Sequence, residues 1–319
     1  MTDRVTAEVS ALYDEYPYPG HGVVSSVVAS LLERPLRDLQ LRRGRIDVRV
    51  LDAGCGTGEQ ALGIKRAFPQ AEVVGIDLNG TSLELARRLA ERKNLPVRFE
   101  QRDVTQPIED LGRFDAVVSV GVLHHLPEPG AGLETLRQLV APGGFLLGMV
   151  YGRHGKRDSM LVRDVLEQIC GDGASRQDRL EILSSSKLAG NAGPVHYLET
   201  LLRRLRFGPA IGPLEAARRV VASRGDAYQA DTFTHAHEVV YTYAELAQLL
   251  STAGWRFEGW PRRSGLPDTP SQLLKGRAAE LVAAMSPLDQ AKVYEGLIRP
   301  MNLFFLASPG VDQSGREGA

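Results

Sequence analysis

Cysteine is scarce in this chain, with only Cys55 and Cys170 among 319 residues. Their positions give no metal-binding spacing and no reason to pair them, so a disulfide framework is excluded and a reducing, cytoplasmic setting is expected. Charge of one sign is lacking too. The 38 Lys and Arg nearly balance the 39 Asp and Glu, which leaves no basic footprint for nucleic acid and no attraction to an anionic membrane. No apolar run approaches the length of a membrane span, and residues 1–8 lack the charged-then-apolar pattern of a secretory leader. Internal repeats and low-complexity tracts are also absent. What is present is an apolar content of 43%, enough for one substantial α/β core with an added subdomain. A small molecule is the partner this composition leaves open, without nucleic acid or membrane.

The most informative stretch runs from Val50 to Gly58. An apolar strand leads into Asp52, Ala53 and then Gly54, Cys55, Gly56, Thr57 and Gly58, just before a helical segment. Three alternating glycines let the main chain turn sharply off the strand and come close to a ligand. Glu59 stands where a dinucleotide-binding loop has its third glycine, and no Lys-Ser/Thr pair follows to make a phosphate loop. A glutamate at the helix start also opposes a pyrophosphate there. The stretch 72–76 reads as a buried strand ending at Asp77, 19 residues after Gly58, about where an α/β site places a ribose-binding carboxylate. Two bland readings stand beside these: a glycine-rich turn without a ligand, and an acid idle beside a helix opened by Asn79, Thr81 or Ser82.

The stretch Asp52 to Gly58 resembles motif I of the class I S-adenosylmethionine-dependent methyltransferases. The resemblance extends through residues 48–150. Asp103 and Val104, after the strand at 97–101, match the family's acid for the adenine amino group and the residue flanking the ring. The strand at 114–119 leads into a Val120-to-Pro127 segment similar to the family's lining between cofactor and substrate, and Pro142-Gly143-Gly144 matches the turn before the fifth strand. The resemblance implies an α/β fold: a Rossmann-like, doubly wound, seven-stranded, mostly parallel sheet. It implies S-adenosylmethionine as cofactor, with S-adenosylhomocysteine as product. The cofactor contacts it implies are Asp52, Ala53, Gly54, Cys55, Gly56, Gly58, Asp77, Leu78, Asp103, Val104, Val120 and Gly121, with Tyr16 from an N-terminal lid.

Residues 1–47 are expected as a helical and aromatic lid segment, because two prolines end a helix near residue 16 and present Tyr13, Tyr16 and Tyr18. The core is expected to comprise 48–154 and 241–310. Residues 155–240 are too long for a connecting loop. Helical periodicity at 160–169 and 197–205 predicts a helical cap over the substrate mouth. The polar stretch Asp226–Tyr241 is read as a strand or loop on which His235 and His237 share a face. His124, His125, His235 and His237 are the general-base candidates, and Tyr13, Tyr18, Tyr151, Asp231, Phe233 and Tyr241 the substrate-binding ones. No metal is assigned, since a site at His235 and His237 needs ligands from elsewhere. For a carbon acceptor, Asp231 or Glu238 could hold developing positive charge. Downstream, 242–254 reads as a capped helix, 255–260 as a strand, 270–299 as a helical insertion and 302–308 as the last strand. That insertion leaves the edge topology open and offers a homodimer surface; the tail 311–319 is expected to fray. The expected function is methyl transfer to a small O-, N- or C-nucleophile, as in secondary metabolism. The alternatives are a protein or peptide methyltransferase and a binding protein that performs no transfer.

Overall fold

The computed structural model describes residues 2–20, 22–171, 174–185, 226–235, 237–261 and 269–310. Its centre is a seven-stranded sheet of order β3-β2-β1-β4-β5-β7-β6. The strands are β1 (Arg49–Ala53), β2 (Glu72–Asp77), β3 (Arg98–Gln101), β4 (Phe114–Val120), β5 (Val140–Tyr151), β6 (Trp255–Gly259) and β7 (Asn302–Pro309). The first five are parallel, and β7 runs antiparallel between β5 and β6. The central strands are nearly continuous apolar runs because helices cover both of their faces.

On one face lie α2 (Val27–Arg43), α3 (Glu59–Ala67) and α4 (Gly80–Lys93), packed through Leu32, Leu36, Leu62, Ile64 and Leu83. The other face carries α5 (Pro129–Gln138), whose Leu133 and Leu136 join Phe114 and Val117 in the second core cluster. The segment 1–47 therefore divides. Its first helix, α1 (Thr2–Glu15), reaches α4 and the loops above the sheet, whereas α2 contributes buried leucines to the sheet's own core.

Sheet order reverses between β1 and β4, since β1 pairs with β2 on one side and β4 on the other. Both strands release their chains at the same edge of the sheet, and the diverging connections leave a crevice there. Beyond β5 the chain passes into α6 (Arg153–Cys170) and α7 (Arg176–Ser185), and returns through α8 (Asp226–Phe233). Val162, Leu166 and Phe233 form a small core of this cap. The predicted helix at 197–205, much of the cap and the tail 311–319 lie outside the described residues.

The stretch Asp226–Phe233 is helical, not the extended polar segment expected: Ala230 to Phe233 are all buried, Phe233 against Val162 and Leu166, and the Thr234 hydroxyl closes the last turn on the Ala230 carbonyl at 2.8 Å. Downstream, α9 (Tyr243–Thr252) starts on a capping box of Thr242 and Glu245. The helical insertion, including α10 (Arg277–Ala283) and α11 (Pro287–Ile298), precedes β7 without displacing it: the returning strand pairs with β5 from Leu146↔Ala307 to Tyr151↔Asn302.

Candidate active site

A cavity of about 320 Å³ opens at the carboxyl ends of β1, β2 and β4, between the glycine loop and α1. The loop needs its glycines. Gly54 and Gly56 have φ of 79° and 52°, and a Cβ on them would lie 2.1 Å from Val122 Cγ2 and 2.3 Å from the Tyr18 carbonyl oxygen respectively. Tyr18 and Pro19 bind the outer side of this loop: the Thr57 amide donates to the Tyr18 carbonyl at 3.2 Å, and the Gly20 amide to the Thr57 hydroxyl at 3.1 Å. Glu59, read from sequence only as an argument against phosphate, is buried and accepts from the Gly22 amide at 2.9 Å. It ties the N-terminal segment down.

Asp77 lines the cavity with one oxygen accepting from the Gly56 amide and the other from the Asn79 amide, both at 2.8 Å. It is not the helix cap; Asn79 is, accepting from the Ser82 amide at 2.7 Å. Burial raises the Asp77 carboxyl above its ordinary range against these backbone donors. Leu78, Asp103, Val104, Val120 and Gly121 line the same wall. Asp103 is held by the Thr105 amide and hydroxyl at 2.8 and 2.7 Å.

Other expected cofactor residues sit behind this surface. Ala53 is inside the sheet, and Gly58 packs on Ala86 and Phe99. Asp52 is fully buried; one oxygen accepts from Gln60 Nε2 at 2.8 Å and the other has no hydrogen-bond partner among the described residues. Desolvation pushes its carboxyl up to about 7. Tyr16 ends α1 with its amide on the Leu12 carbonyl and is not part of the cavity wall, whereas Thr6, Val9, Ser10 and Tyr13 of the same helix are. Asn79 and Thr81 hold that helix in place through Asp14, each at 2.8 Å.

At the far end, four predicted residues meet. Asp231 accepts from the Tyr13 hydroxyl at 2.9 Å and the Tyr151 hydroxyl at 3.1 Å, and His125 Nε2 lies 4.0 Å from it. Tyr18 lines the cavity alongside them. Chain positions 13, 125, 151 and 231 converge because α1, the turn after β4, the end of β5 and α8 all open onto one point. His125 Nδ1 lies 2.9 Å from the His237 carbonyl oxygen; a carbonyl only accepts, so the ring hydrogen is on Nδ1 and Nε2 carries the lone pair. Burial keeps His125 below its ordinary value, hence neutral, and holds Tyr13 and Tyr151 well above theirs, hence protonated donors.

The remaining predicted residues do not reach the cavity. His235 stacks on His125, centroids 3.6 Å apart, just behind the lining, with its Nε2 3.4 Å from the hydroxyl of cavity-lining Tyr13. His124 is fully buried between His125 and Tyr151, neither ring nitrogen having a hydrogen-bond partner among the described residues. His237 contributes its main chain, not its ring: the carbonyl to His125 and the amide to His235 Nδ1 at 3.2 Å. Phe233 belongs to the cap core, and Tyr241 pairs its amide with the Tyr151 carbonyl as a sheet extension. Glu238 forms an ion pair with buried Lys156 at 3.1 Å and is also 3.5 Å from Arg163. Lys156, which sequence reasoning missed, lies with its ammonium 3.7 Å from the Tyr151 ring centroid. A lysine inside a helical pattern ordinarily signals a solvated face, so no sequence signal singled it out.

Residues 50–144 match a family model described as a methyltransferase domain. An uncharacterized protein of Synechococcus sp. is 29% identical over 275 residues, covering 82% of this chain and 62% of that protein. The chain thus spans less than two-thirds of this relative's length. A demethylmenaquinone methyltransferase of Thermus thermophilus is 32% identical over 188 residues, covering 56% of this chain and 80% of the relative. Among solved structures, PKMT2 from Rickettsia typhi in complex with AdoHcy has a TM-score of 0.62 at 17% identity, covering 92% of this chain and 55% of that one. This last likeness is one of fold.

Proposed function

The chain belongs to the class I S-adenosylmethionine-dependent methyltransferases, and from that premise we propose that it transfers the methyl group to a small-molecule acceptor held where Tyr13, Asp231, Tyr151 and His125 meet. The observation that carries this reading is one cavity running from the glycine loop and the two acids Asp77 and Asp103 to that polar cluster, with α1 along its side. The cavity suits the cofactor. Gly54 and Gly56 bare their backbone, and each carboxylate keeps acceptor capacity beyond its backbone donors for ribose and adenine groups. Leu78, Val104 and Val120 offer apolar surface beside them.

When bound, S-adenosylmethionine supplies a methyl group on a sulfonium, ready for in-line displacement. The protein's part is to align the acceptor and keep water out. The His125 Nε2 lone pair is placed to take a proton from an acceptor O–H or N–H, and the His237 carbonyl holds the ring in that tautomer. Asp231 and the two tyrosines fix the acceptor's orientation by hydrogen bonds. A helix beside the cavity favours a small acceptor over a protein tail, and the Thermus relative, named for demethylmenaquinone, is consistent with that.

The test is calorimetry with S-adenosylmethionine and S-adenosylhomocysteine, followed by S-adenosylhomocysteine release with small-molecule and peptide acceptors. Asp77→Ala is expected to weaken cofactor binding tenfold or more, from about 1.5–3 kcal/mol for a charge-assisted hydrogen bond. Unchanged affinity would remove the cofactor placement. Turnover with peptides alone would move the function to macromolecules, and tight cofactor binding without any turnover would favour a protein that performs no transfer.

A further inference from the structure

We propose that His125, Asp231 and His235 bind one divalent transition-metal ion, zinc being the first choice, at the acceptor end of the cavity. The sequence offered His235 and His237 as a pair without further ligands. Folding instead joins His235 to a histidine more than a hundred residues upstream and to the aspartate of α8. One ligand atom from each of the three lies within 4.8 Å of the others, and all three residues are buried. Metal–ligand bonds of about 2.0–2.2 Å require ligand atoms roughly 3–3.5 Å apart, so small side-chain turns close the set.

The donor types choose the metal. Two imidazoles and one carboxylate suit zinc, iron(II) or cobalt(II), and carry too much nitrogen for magnesium or calcium. Three protein ligands leave a coordination position open, as in catalytic rather than structural zinc sites.

The surroundings are those of a supported metal site. His125 donates Nδ1–H to the His237 carbonyl and leaves Nε2 bare, the arrangement that orients metal-bound histidines. Both Asp231 oxygens accept tyrosine hydroxyls, as ligating carboxylates do. Asp231 is 2% exposed, and among the described residues no lysine or arginine forms an ion pair with it. The nearest cation acting on it, Lys156, does so from beyond ion-pair distance, and a metal would supply a positive charge in direct contact. One rearrangement is needed. The His237 amide faces His235 Nδ1, and the two imidazole planes lie 21° apart. Ligation through His235 Nε2 places the ring hydrogen on Nδ1, turns the ring off that amide and fans the stack open toward a shared point.

The ligand set stands on its own geometry. Its role rests on the function proposed above with one change: a metal on His125 Nε2 occupies the lone pair given there to the base, and the ion would instead act as a Lewis acid that lowers the pKa of a bound acceptor O–H.

The experiment uses the full chain, stripped with a chelator and reconstituted with Zn²⁺ or Co²⁺ alone. Elemental analysis is expected to give about one equivalent of zinc, and cobalt to produce the visible bands of a low-symmetry nitrogen–oxygen site. His125→Ala and His235→Ala should each weaken binding at least tenfold. His237→Ala should retain the metal, because only its main chain takes part. Circular dichroism of the metal-free variants separates lost ligands from lost fold, and the wild-type cobalt spectrum tests the ligand set without any variant. No stoichiometric metal on the wild type, or a full equivalent kept by the His125→Ala/His235→Ala double variant, overturns the proposal. Calorimetry with S-adenosylhomocysteine on the same samples tells the two readings apart: cofactor binding without metal defeats only this inference, and metal without cofactor binding only the function.

Discussion

Asp52 carries the clearest electrostatic consequence of any single residue here. It is fully buried with one oxygen unpartnered, and its carboxyl is pushed up to about 7 by desolvation. The folded state therefore holds this proton more tightly than the unfolded chain, whose aspartate titrates near 4. The stabilisation is fully present below about pH 4 and is lost as pH rises through about 7. About three units correspond to an upper bound near 4 kcal/mol. Asp52→Asn keeps the shape and removes the titration. Urea unfolding at pH 4.5 and pH 8 should show a smaller pH-dependent loss for the variant than for the wild type; equal losses would mean that Asp52 is solvated.

Among the elements, α1 is the one held above the sheet rather than on it, through a few hydrogen bonds and one buried apolar side chain, Leu12. Its attachments to the rest of the described structure include Asn79 and Thr81 on Asp14, Asn79 on the Ser10 carbonyl, and Tyr13 on Asp231. None of them is a sheet contact. Hydrogen bonds of this kind contribute about 0.5–1.5 kcal/mol each, whereas the strands and α2–α5 bury the main cores. Removal of residues 1–19 should therefore leave far-ultraviolet circular dichroism and a cooperative unfolding transition in place while turnover disappears. Turnover that survives would show α1 and its tyrosines to be dispensable. The helix itself was legible as a segment that the two prolines behind it bring to an end. That it lies along the cavity was not, since the bonds that place it join residues more than sixty positions apart.

At the scale of the whole molecule, the outgoing and returning ends of the cap are joined through a buried ion pair. Lys156 and Arg163 of α6 converge on Glu238, which stands just after α8 where the chain returns toward the sheet. Removing one member strands a buried charge, at a cost of about 3–5 kcal/mol. Glu238→Gln should lower stability by that order in thermal or chemical unfolding. The double change Lys156→Met with Glu238→Leu should recover much of it, because two apolar groups leave no uncompensated charge. A double variant no more stable than Glu238→Gln would mean that the pair holds a specific geometry that apolar packing cannot replace.

The sequence by itself determined the parallel half of the sheet, the glycine loop and the acids at successive strand ends. Those features depend on local backbone demands and on period-two or buried apolar runs, which are written in consecutive residues: Asp52 to Gly58, Asp77 after 72–76, Asp103 after 97–101. Only the tertiary structure decided what meets at the other end of the cavity. The helical state of Asp226–Phe233, the exchange of His237 for His125 beside His235, and the burial of Lys156 against Glu238 depend on contacts between segments far apart in the chain. Such contacts leave no periodicity behind. A histidine reads the same in sequence whether its ring or its carbonyl does the work, and here packing made that choice.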